Sequence, residues 1–542
     1  MSIQSVKTPF MKMSFTPDIP SGALGPNEYN SGLNVETDTR GIKKIAGEQD
    51  ILGYIPGDPI FVTGSFRNQN QFWFVVATVD GKWWGITSSG VTEFTPGAIT
   101  YIYDQYTQST QITASWNGNV LFIMDTINPP MYLLPTDTEL RLYDYAYLDQ
   151  TPDTYVWNYY VSQGWSDVSA GFMRVYSSPN IGSILVAGNL SYTLGGTRYN
   201  LPNTLRWSQN FGINSGPTTW APTLTNIANE LDVPVRGPLI DGFPLNGNFY
   251  MFSYWDCAIM SPISYTSTSA PVFGVSLVTQ GRGMLNENCW AINDSIGYGI
   301  DSSDIWVLNG GQFTEIGNQR VKNWFYNNLH PSYNDQVFMC NNTKKNQIEI
   351  YYPDTTSTNG RCNKMLAYRY DLDCWNPPRD VSDAVMATEA PTYDPDTGLP
   401  NIANRGVVYA RSTTDDTSRL VQKDIGNGFF NGGPTEKINA YFRRDNINFG
   451  EPYSNRVQVH RVLPEVYGTG TFVIQVGGAD SVGQTPTFKT TATMDIATSN
   501  PWIQTNQNTQ RVSSIIAGTN DSTGTWIMSQ ANWQVTVTED TR

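Results

Sequence analysis

The stretch at residues 60–94, IFVTGSFRNQNQFWFVVATVDGKWWGITSSGVTEF, decides the fold. It contains short strand-like runs separated by turn-favouring residues, and no window of it has the 3.6-residue period of a helix. Asp80-Gly81 predicts a tight type I′ turn between the second and third runs. The stretch therefore predicts a four-stranded antiparallel meander, with strands at Ile60–Gly64, Gln71–Val79, Lys82–Thr87 and Val91–Phe94.

The second run is apolar on both of its faces. Because side chains alternate along a strand, one face carries three apolar side chains and the other face carries three more: Phe72, Phe74 and Val76, then Trp73, Val75 and Ala77. An antiparallel sheet with one solvated face would alternate apolar and polar residues instead. The sheet must be covered on both sides, as a blade of a β-propeller is.

A second copy of this pattern lies further along the chain. From Trp84 the sequence reads WGITSSGVTEF, and from Trp306 it reads WVLNGGQFTEI. The distance between the two tryptophans corresponds to about five units of the ~40–45 residues usual for a blade. Chance similarity of two hairpins is the alternative. Weaker copies of the pattern lie around the turns Asn117-Gly118 and Asn246-Gly247 and within residues 336–375 and 405–421. Together the copies predict six to eight blades.

Composition predicts an all-β protein of three parts. Aromatic residues make up 13% of the 542 residues, Gly and Pro recur at short intervals, and no long amphipathic helix is present. Residues 1–51 form an N-terminal arm that either completes the propeller or packs on a neighbouring molecule. Residues 52–426 form the propeller, with an aromatic-rich insertion near 135–180. After the glycine-rich break NGFFNGGP, about seven alternating strands in residues 427–542 predict a C-terminal β-sandwich.

Charge and cysteine usage limit the environment and the partners. The net charge of −15 argues against a protein that grips nucleic acid through Lys and Arg, but it suits a wall along which DNA slides. The chain shows no signal-peptide pattern and no apolar stretch of about 18 residues, so we expect no membrane-spanning segment. Five cysteines without CxxC spacing predict free, mostly buried thiols in a reducing compartment, with a Cys362–Cys374 disulfide as the alternative.

The sequence offers little catalytic chemistry. His330 and His460 are the two histidines of the chain, neither has ligands at zinc spacing, and no GxSxG or phosphate-binding loop is present. We therefore expect no enzyme activity, no catalytic residue, no metal and no cofactor. The densest carboxylate pairs are interpreted as solvated turn residues: Asp301/Asp304 and Asp371/Asp373. A single near-match to a sialidase Asp-box, Thr519–Trp526, is interpreted as a strand–turn–strand.

The order of these parts resembles the tail hub or nozzle proteins of short-tailed bacteriophages, also called tail tubular protein B or packaged-DNA stabilisation proteins. The resemblance rests on EYNSGLNVETDTR (Glu28–Arg40), on the aromatic blades and on the C-terminal part. That part contains the pattern P-x-V-x-G-x-G-x-x-x-I-x-V-G at Pro464–Gly477 and the ending TWIMSQANWQVTVTEDTR. The resemblance covers nearly the whole chain through structural motifs.

The resemblance implies a structural virion protein of the phage tail, made and assembled in the host cytoplasm. It implies a homohexameric ring beneath the portal and its adaptor ring, with tail fibres or spikes as further partners. The ring would extend the DNA channel, retain the packaged genome and pass DNA during ejection without reading its sequence. Five basic residues are candidates for DNA contact, with solvated surface as the other interpretation: Arg67, Lys344, Lys345, Arg443 and Arg444.

Two other functions stay open from the sequence. A carbohydrate-binding adhesin propeller would use surface Trp and Tyr, such as those between residues 143 and 165, to stack on sugars. A propeller glycosidase or lyase would need two carboxylates in its central cleft.

Overall fold

The computed structural model describes residues 3–538 except 97–105, 139, 143–164, 180, 221, 223–225, 264–272, 395–396, 414–416, 430–436, 450–454, 498–501, 506–509 and 521–523. The predicted aromatic insertion lies largely outside the described residues, as does much of the predicted glycine-rich boundary. Within the described part the chain is an all-β protein built on a β-propeller.

The N-terminal arm supplies seven short strands, and most of these strands pair with distant parts of the chain. They are β1 (Gln4–Pro9), β2 (Ser14–Phe15), β3 (Glu28–Tyr29), β4 (Ser31–Leu33), β5 (Val35–Asp38), β6 (Gly41–Lys44) and β7 (Glu48–Ile51).

Five blades follow, each an antiparallel sheet of four consecutive strands. Blade 1 has β8 (Pro59–Asn68), β9 (Gln71–Thr78), β10 (Trp83–Thr87) and β11 (Gly90–Glu93). Blade 2 has β12 (Thr113–Asn117), β13 (Val120–Met124), β14 (Met131–Leu133) and β15 (Arg141–Leu142). Blade 3 has β16 (Trp165–Ser178), β17 (Gly182–Leu194), β18 (Thr197–Trp207) and β19 (Asn229–Asp232). Blade 4 has β20 (Leu239–Leu245), β21 (Asn248–Ser253), β22 (Cys257–Pro262) and β23 (Phe273–Thr279). Blade 5 has β24 (Trp290–Asn293), β25 (Ile296–Ile300), β26 (Ile305–Asn309) and β27 (Gln312–Glu315).

One seven-stranded sheet makes both remaining blades. After the helix α1 (Lys322–Asn328) come β28 (Phe338–Asn342), β29 (Gln347–Tyr352), β30 (Cys362–Arg369), β31 (Cys374–Tyr393), β32 (Pro400–Arg411) and β33 (Arg419–Lys423). The first half of β31 pairs with β30, and its second half pairs with β32. Strand β31 is therefore the outer strand of blade 6 and the inner strand of blade 7.

The ring of seven blades closes through a strand from the start of the chain. Strand β7 pairs antiparallel with β33, with Ile51 opposite Leu420 and Glu48 opposite Lys423, and supplies the outermost strand of blade 7. On the inner side, the second half of β31 packs against β8 of blade 1. Residues 48–51 thus hold the last blade to the first.

The C-terminal residues form two antiparallel sheets, called here the C-terminal module. Its strands are β34 (Asn439–Ile447), β35 (Arg456–Gly468), β36 (Thr471–Ala479), β37 (Thr487–Asp495), β38 (Ile503–Gln504), β39 (Val512–Asn520) and β40 (Trp526–Thr538). One sheet has the order β37-β36-β39-β34-β4, and the other has the order β38-β35-β40-β6-β5 with β1 also paired to β40. Four strands of residues 4–44 are therefore members of this module.

Blade 1 confirms the predicted meander and corrects the turn between its second and third strands. Strand β9 is buried from Phe72 to Thr78, so the blade is covered on both faces. The turn after it has one left-handed residue, Gly81 at φ +76°, whose N–H donates to the Thr78 carbonyl. This is a type I turn ending in a glycine bulge and not a type I′ turn, because Asp80 keeps a negative φ.

The Trp84 and Trp306 segments occupy the same place in their blades. Trp84 lies opposite Glu93 and Trp306 lies opposite Glu315, each in the hairpin of the third and fourth strands. These hairpins belong to blades 1 and 5, so the interval between the two tryptophans spans four blades and not five. The difference arises because blade 3 is enlarged, with strands of 14, 13 and 11 residues.

Candidate functional site

The first strands of the blades surround a cavity on the axis of the propeller. Its volume is about 490 Å³, and strands β8, β12, β16, β24, β28 and β31 all contribute to its wall. About half of the wall is apolar, and Phe61, Trp290, Met339 and Met386 supply its larger apolar side chains. Polar residues gather at the end where β24 and β28 stop.

A buried ion pair closes the other end of this cavity and forms its floor. The Arg174 guanidinium donates two hydrogen bonds to the Asp241 carboxylate, at 2.9 and 2.5 Å, and one to the Ala114 carbonyl at 2.7 Å. It also donates to Asn288 Oδ1 at 2.9 Å, and its carbon Cζ lies 5.1 Å from the centre of the Trp290 ring. Trp290 Nε1 donates to Asp241 at 2.8 Å. Bidentate pairing of this kind fixes the arginine in one geometry.

Beyond this floor, Glu287 lies between two smaller cavities at the opposite face of the propeller. Burial raises the pKa of Glu287 to about 8, with the nearby Asp241 and Asp335 carboxylates adding to the shift. The side chain therefore holds a proton at neutral pH. A neutral carboxyl group in a cleft is a feature of both functional and structural sites.

A second cluster of buried and half-buried charges joins the N-terminal arm to the propeller, and we call it the junction. Lys345 Nζ lies 2.7 Å from Glu36 and 2.7 Å from Asp424, and Arg379 lies 2.6 Å from Asp424 and 3.2 Å from Glu48. Glu36 and Glu48 come from the N-terminal arm, whereas the other three come from blades 6 and 7. The junction therefore ties the start of the chain to the closed end of the propeller.

One further ion pair continues the junction between blades 6 and 7. Lys423 Nζ lies 2.5 Å from Glu349, and neither side chain has any exposed surface. Asn342, Gln347 and Tyr351 also donate hydrogen bonds to Glu349. A buried charge is tolerated when it is both paired and hydrogen-bonded, as here.

The junction shifts the pKa values of its carboxyl groups in opposite directions. Burial would raise the pKa of Asp424 and of Glu36, but their lysine and arginine neighbours outweigh it and hold both pKa values below the ordinary range. For Glu48 burial wins over the attraction of Arg379 and raises the pKa. The Tyr409 hydroxyl also donates to Glu48, at 2.5 Å.

The carboxylate pairs singled out in the sequence are turn residues, but not all are solvated. Asp301 and Asp304 are buried, and Asp301 accepts hydrogen bonds from the backbone N–H groups of Ser303 and Asp304. In the second pair each carboxylate has its own arginine, Arg369 for Asp371 and Arg320 for Asp373. Neither pair faces the central cavity.

Four of the five basic residues proposed for DNA contact make bonds within the protein. Arg67 donates to the Pro135 carbonyl, Arg443 pairs with Asp445, and Lys345 belongs to the junction. Arg444 is buried and donates to the Pro26 and Gly25 carbonyls. Lys344 is exposed. The hydrogen bonds and ion pairs of the other four side chains favour a structural role for them: Arg67, Lys345, Arg443 and Arg444.

Histidine and cysteine chemistry is also structural in the described residues. His460 Nε2 lies 2.7 Å from Thr536 Oγ1 in the C-terminal module, and His330 packs on Tyr333 with ring centres 4.4 Å apart. All five cysteines are free and buried, as predicted. Within the described ranges no group of three metal-ligating side chains occurs, and no helix is long and apolar enough to cross a membrane. Around the Asp-box match, β39 ends at Asn520 and β40 starts at Trp526, with 521–523 not described.

The sequence analysis did not predict the floor of the cavity or the junction, although single charges inside apolar strands indicated both. Arg174 interrupts GFMRVY, Asp241 interrupts PLIDGF, and Glu349 interrupts QIEIYY. A single charge inside an apolar strand is costly unless it is paired, so it indicates a partner elsewhere in the chain. The sequence does not say which charge is that partner.

Similarity to known proteins is found among solved structures alone. No protein-family model and no curated protein matches the chain. Among solved structures it is similar to YCF48 bound to D1 peptide, with 8% identity and a TM-score of 0.33 over 70% of this chain and 98% of the other. It is similar to the WD40 β-propeller domain of Doa1 at the same identity and TM-score, over 70% of this chain and 96% of that domain.

Proposed function

We propose that the chain is a structural virion protein, the tail nozzle or hub subunit of a short-tailed bacteriophage. In this proposal six copies form a ring beneath the portal and its adaptor ring. The ring extends the DNA channel, retains the packaged genome and passes DNA during ejection. Tail fibres or spikes attach to the same ring. The proposal assigns no catalytic step to the chain.

The observation that carries the proposal is that strands of the N-terminal arm connect the propeller to the C-terminal module. A conduit subunit must resist the outward force of packaged DNA without its parts moving against one another. Strands β1, β4, β5 and β6 belong to the C-terminal module, β7 closes the propeller, and the junction holds the segment between them. Buried polar networks whose members are paired stiffen a structure, which is the property that such a subunit needs.

The charge of the chain agrees with transport of DNA rather than with binding. Six copies at −15 each would give the ring a large negative charge. DNA affinity depends on Lys and Arg that neutralise phosphates, and four of the five candidate side chains are already bonded within the protein. An acidic wall repels phosphate and reduces sticking.

The native mass of the purified protein tests the proposal. Light scattering with negative-stain imaging should show a ring with a central channel and a mass six times the 60.4 kDa of the chain. A chain that is monomeric alone should still join phage heads that carry the adaptor ring. A monomer that fails to bind such heads would overturn the proposal.

A second candidate function, a carbohydrate-binding adhesin, is favoured by one exposed aromatic pair. Tyr254 and Trp255 follow β21, are 44% and 55% exposed, and have ring centres 6.4 Å apart. Adjacent exposed aromatic rings suit stacking on sugars. Binding to a glycan array that is lost in Trp255→Ala, by a protein that does not join phage heads, would favour the adhesin over the nozzle.

A further inference from the structure

The cavity on the propeller axis has the size and the walls of a small-molecule site. Its 490 Å³ falls within the roughly 300–1,000 Å³ of ligand pockets, and its middle is lined by apolar side chains such as Phe61, Met339 and Met386. Its opening lies at the propeller face where Asp294 follows β24 and Thr343 follows β28. The cavity belongs to one chain, so it exists whether or not the protein forms a ring.

The floor of the cavity is held rigidly before any ligand arrives. The centre of the Trp290 ring lies 5.1 Å from the Arg174 guanidinium and 5.0 Å from the centre of the Phe243 ring, and its Nε1 is bonded to Asp241. Because Arg174 is already paired with Asp241, the floor offers no free positive charge to an anion. A preformed site costs less to occupy than one that must be ordered by its ligand.

The opening presents two carboxylate groups, those of Asp294 and Glu389. The Asn341 amide donates its Nδ2–H to the Ile292 carbonyl at 2.9 Å, and its Oδ1, which has no hydrogen-bond partner among the described residues, is buried and out of reach of a ligand in the cavity. Asp294 has no ion-pair partner among those residues. One oxygen of Glu389 accepts from Thr343 Oγ1, and the other lies 3.6 Å from Arg405, which is 69% exposed and screens it weakly.

We propose that this cavity binds a small alkylammonium compound. The aliphatic part of the ligand packs against the apolar wall, and the ammonium group remains at the opening between Asp294 and Glu389. An ammonium group has three donors and no acceptor, which matches a rim of carboxylates. The net charge of −15 also raises the local concentration of cations over that of anions.

Three probes of equal length test the chemistry of the site: n-hexylammonium, n-hexanol and hexanoate. Calorimetric titration of the full chain should give a Kd of roughly 0.1–1 mM for n-hexylammonium, the range reached by efficient ligands of this size. Hexanol should bind several-fold more weakly, and hexanoate should not bind. Equal affinity for the three probes, or no binding of n-hexylammonium, would overturn the proposal.

Two variants locate the binding. Asp294→Asn combined with Glu389→Gln should weaken n-hexylammonium binding by about three- to tenfold and leave hexanol binding unchanged, because only the charge of the rim is removed. Ala387→Leu should abolish binding of both probes, since Ala387 lines the cavity and is only partly buried. Glu93→Gln removes an exposed carboxylate from the outer strand of blade 1 and is the matched control. Unchanged affinity in the double variant shows that the ammonium binds elsewhere, and this result decides the question even if Ala387→Leu does not fold.

Discussion

Lys423 and Glu349 form an ion pair that is completely removed from solvent, so each side chain depends on the other. Lys423→Met leaves the Glu349 carboxylate charged and buried without its counterion. Loss of one partner of a buried pair costs about 3–5 kcal/mol, and we expect the free energy of unfolding to fall by that amount. Thermal and denaturant unfolding followed by circular dichroism measure the change. Lys489→Met, at an exposed position of β37, is the control and should change it by less than about 0.5 kcal/mol.

The same pair permits a sharper test with a double variant. Lys423→Met with Glu349→Leu removes both charges, and replacing a buried pair by apolar residues is often neutral. The double variant should therefore be more stable than Lys423→Met alone. A double variant less stable than the single one would show that the hydrogen bonds of Glu349 to its neighbours, and not its charge, support this contact between blades 6 and 7.

The raised pKa of Glu287 predicts how the stability of the protein depends on pH. Burial raises its pKa to about 8 from the ordinary 4.5, so between these values the folded chain holds a proton that the unfolded chain has lost. The contribution of Glu287 to the free energy of unfolding is therefore complete below pH 4.5. It is lost as the pH rises toward 8, by at most about 1.4 kcal/mol per pH unit. Glu287→Gln cannot lose a proton. Its melting temperature should exceed that of the natural chain at pH 8.5 and match it near pH 4.5, whereas Glu93→Gln should follow the natural chain at both.

At the scale of elements, strand β7 holds the propeller closed without any covalent link to its partner strand. Its residues Glu48–Ile51 pair with β33, and the junction adds ion pairs to Glu48. A protease site inserted in the loop between Leu52 and Asp58 should therefore yield two pieces that stay together after cleavage. Size-exclusion chromatography of the cut protein should show one species with an unchanged elution volume. Separation of the N-terminal arm without denaturant would show that its strands contribute little to closure.

The elements differ in how far the sequence predicts them. The strands of blade 1 are set by local residues, since Phe72–Ala77 is apolar at every position and turns flank it. The pairing of β7 with β33 joins residues about 370 positions apart, and no local pattern specifies such a partner. For the same reason β4, β5 and β6 look like a loose arm in the sequence, although they are strands of the C-terminal module.

The cavity floor illustrates the same limit for the site. Arg174 and Asp241 stand in different blades, and their meeting follows from the closure of the ring and not from their spacing. The sequence shows that each is a charge among apolar neighbours, and hence that each needs a partner. The carboxylate pairs that looked conspicuous in the sequence have local partners instead, because residues such as Asp371 and Arg369 are only two positions apart.

At the scale of the whole molecule, blades 4 to 6 of the propeller and the C-terminal module share one hydrophobic core. A single continuous cluster of buried side chains runs from Trp306 and Trp375 in the propeller to Phe442 and Trp533 in the module. The N-terminal arm connects the two parts, for Phe10 packs on Phe442 at 5.1 Å between ring centres and Phe15 packs on Trp324 at 5.2 Å.

A shared core predicts that the two parts unfold together. Separate domains with a small interface would melt independently, but here melting of the module would expose the apolar faces of the N-terminal strands that also pack on the propeller. Differential scanning calorimetry of the full chain should therefore show one transition. Cutting in the loop at 52–58 should leave that single transition, because the strands remain in place. Two resolved transitions in the uncut chain would mean that the core contacts around Phe10 and Phe15 are too weak to couple the parts, and the argument for a rigid nozzle subunit would lose its main support.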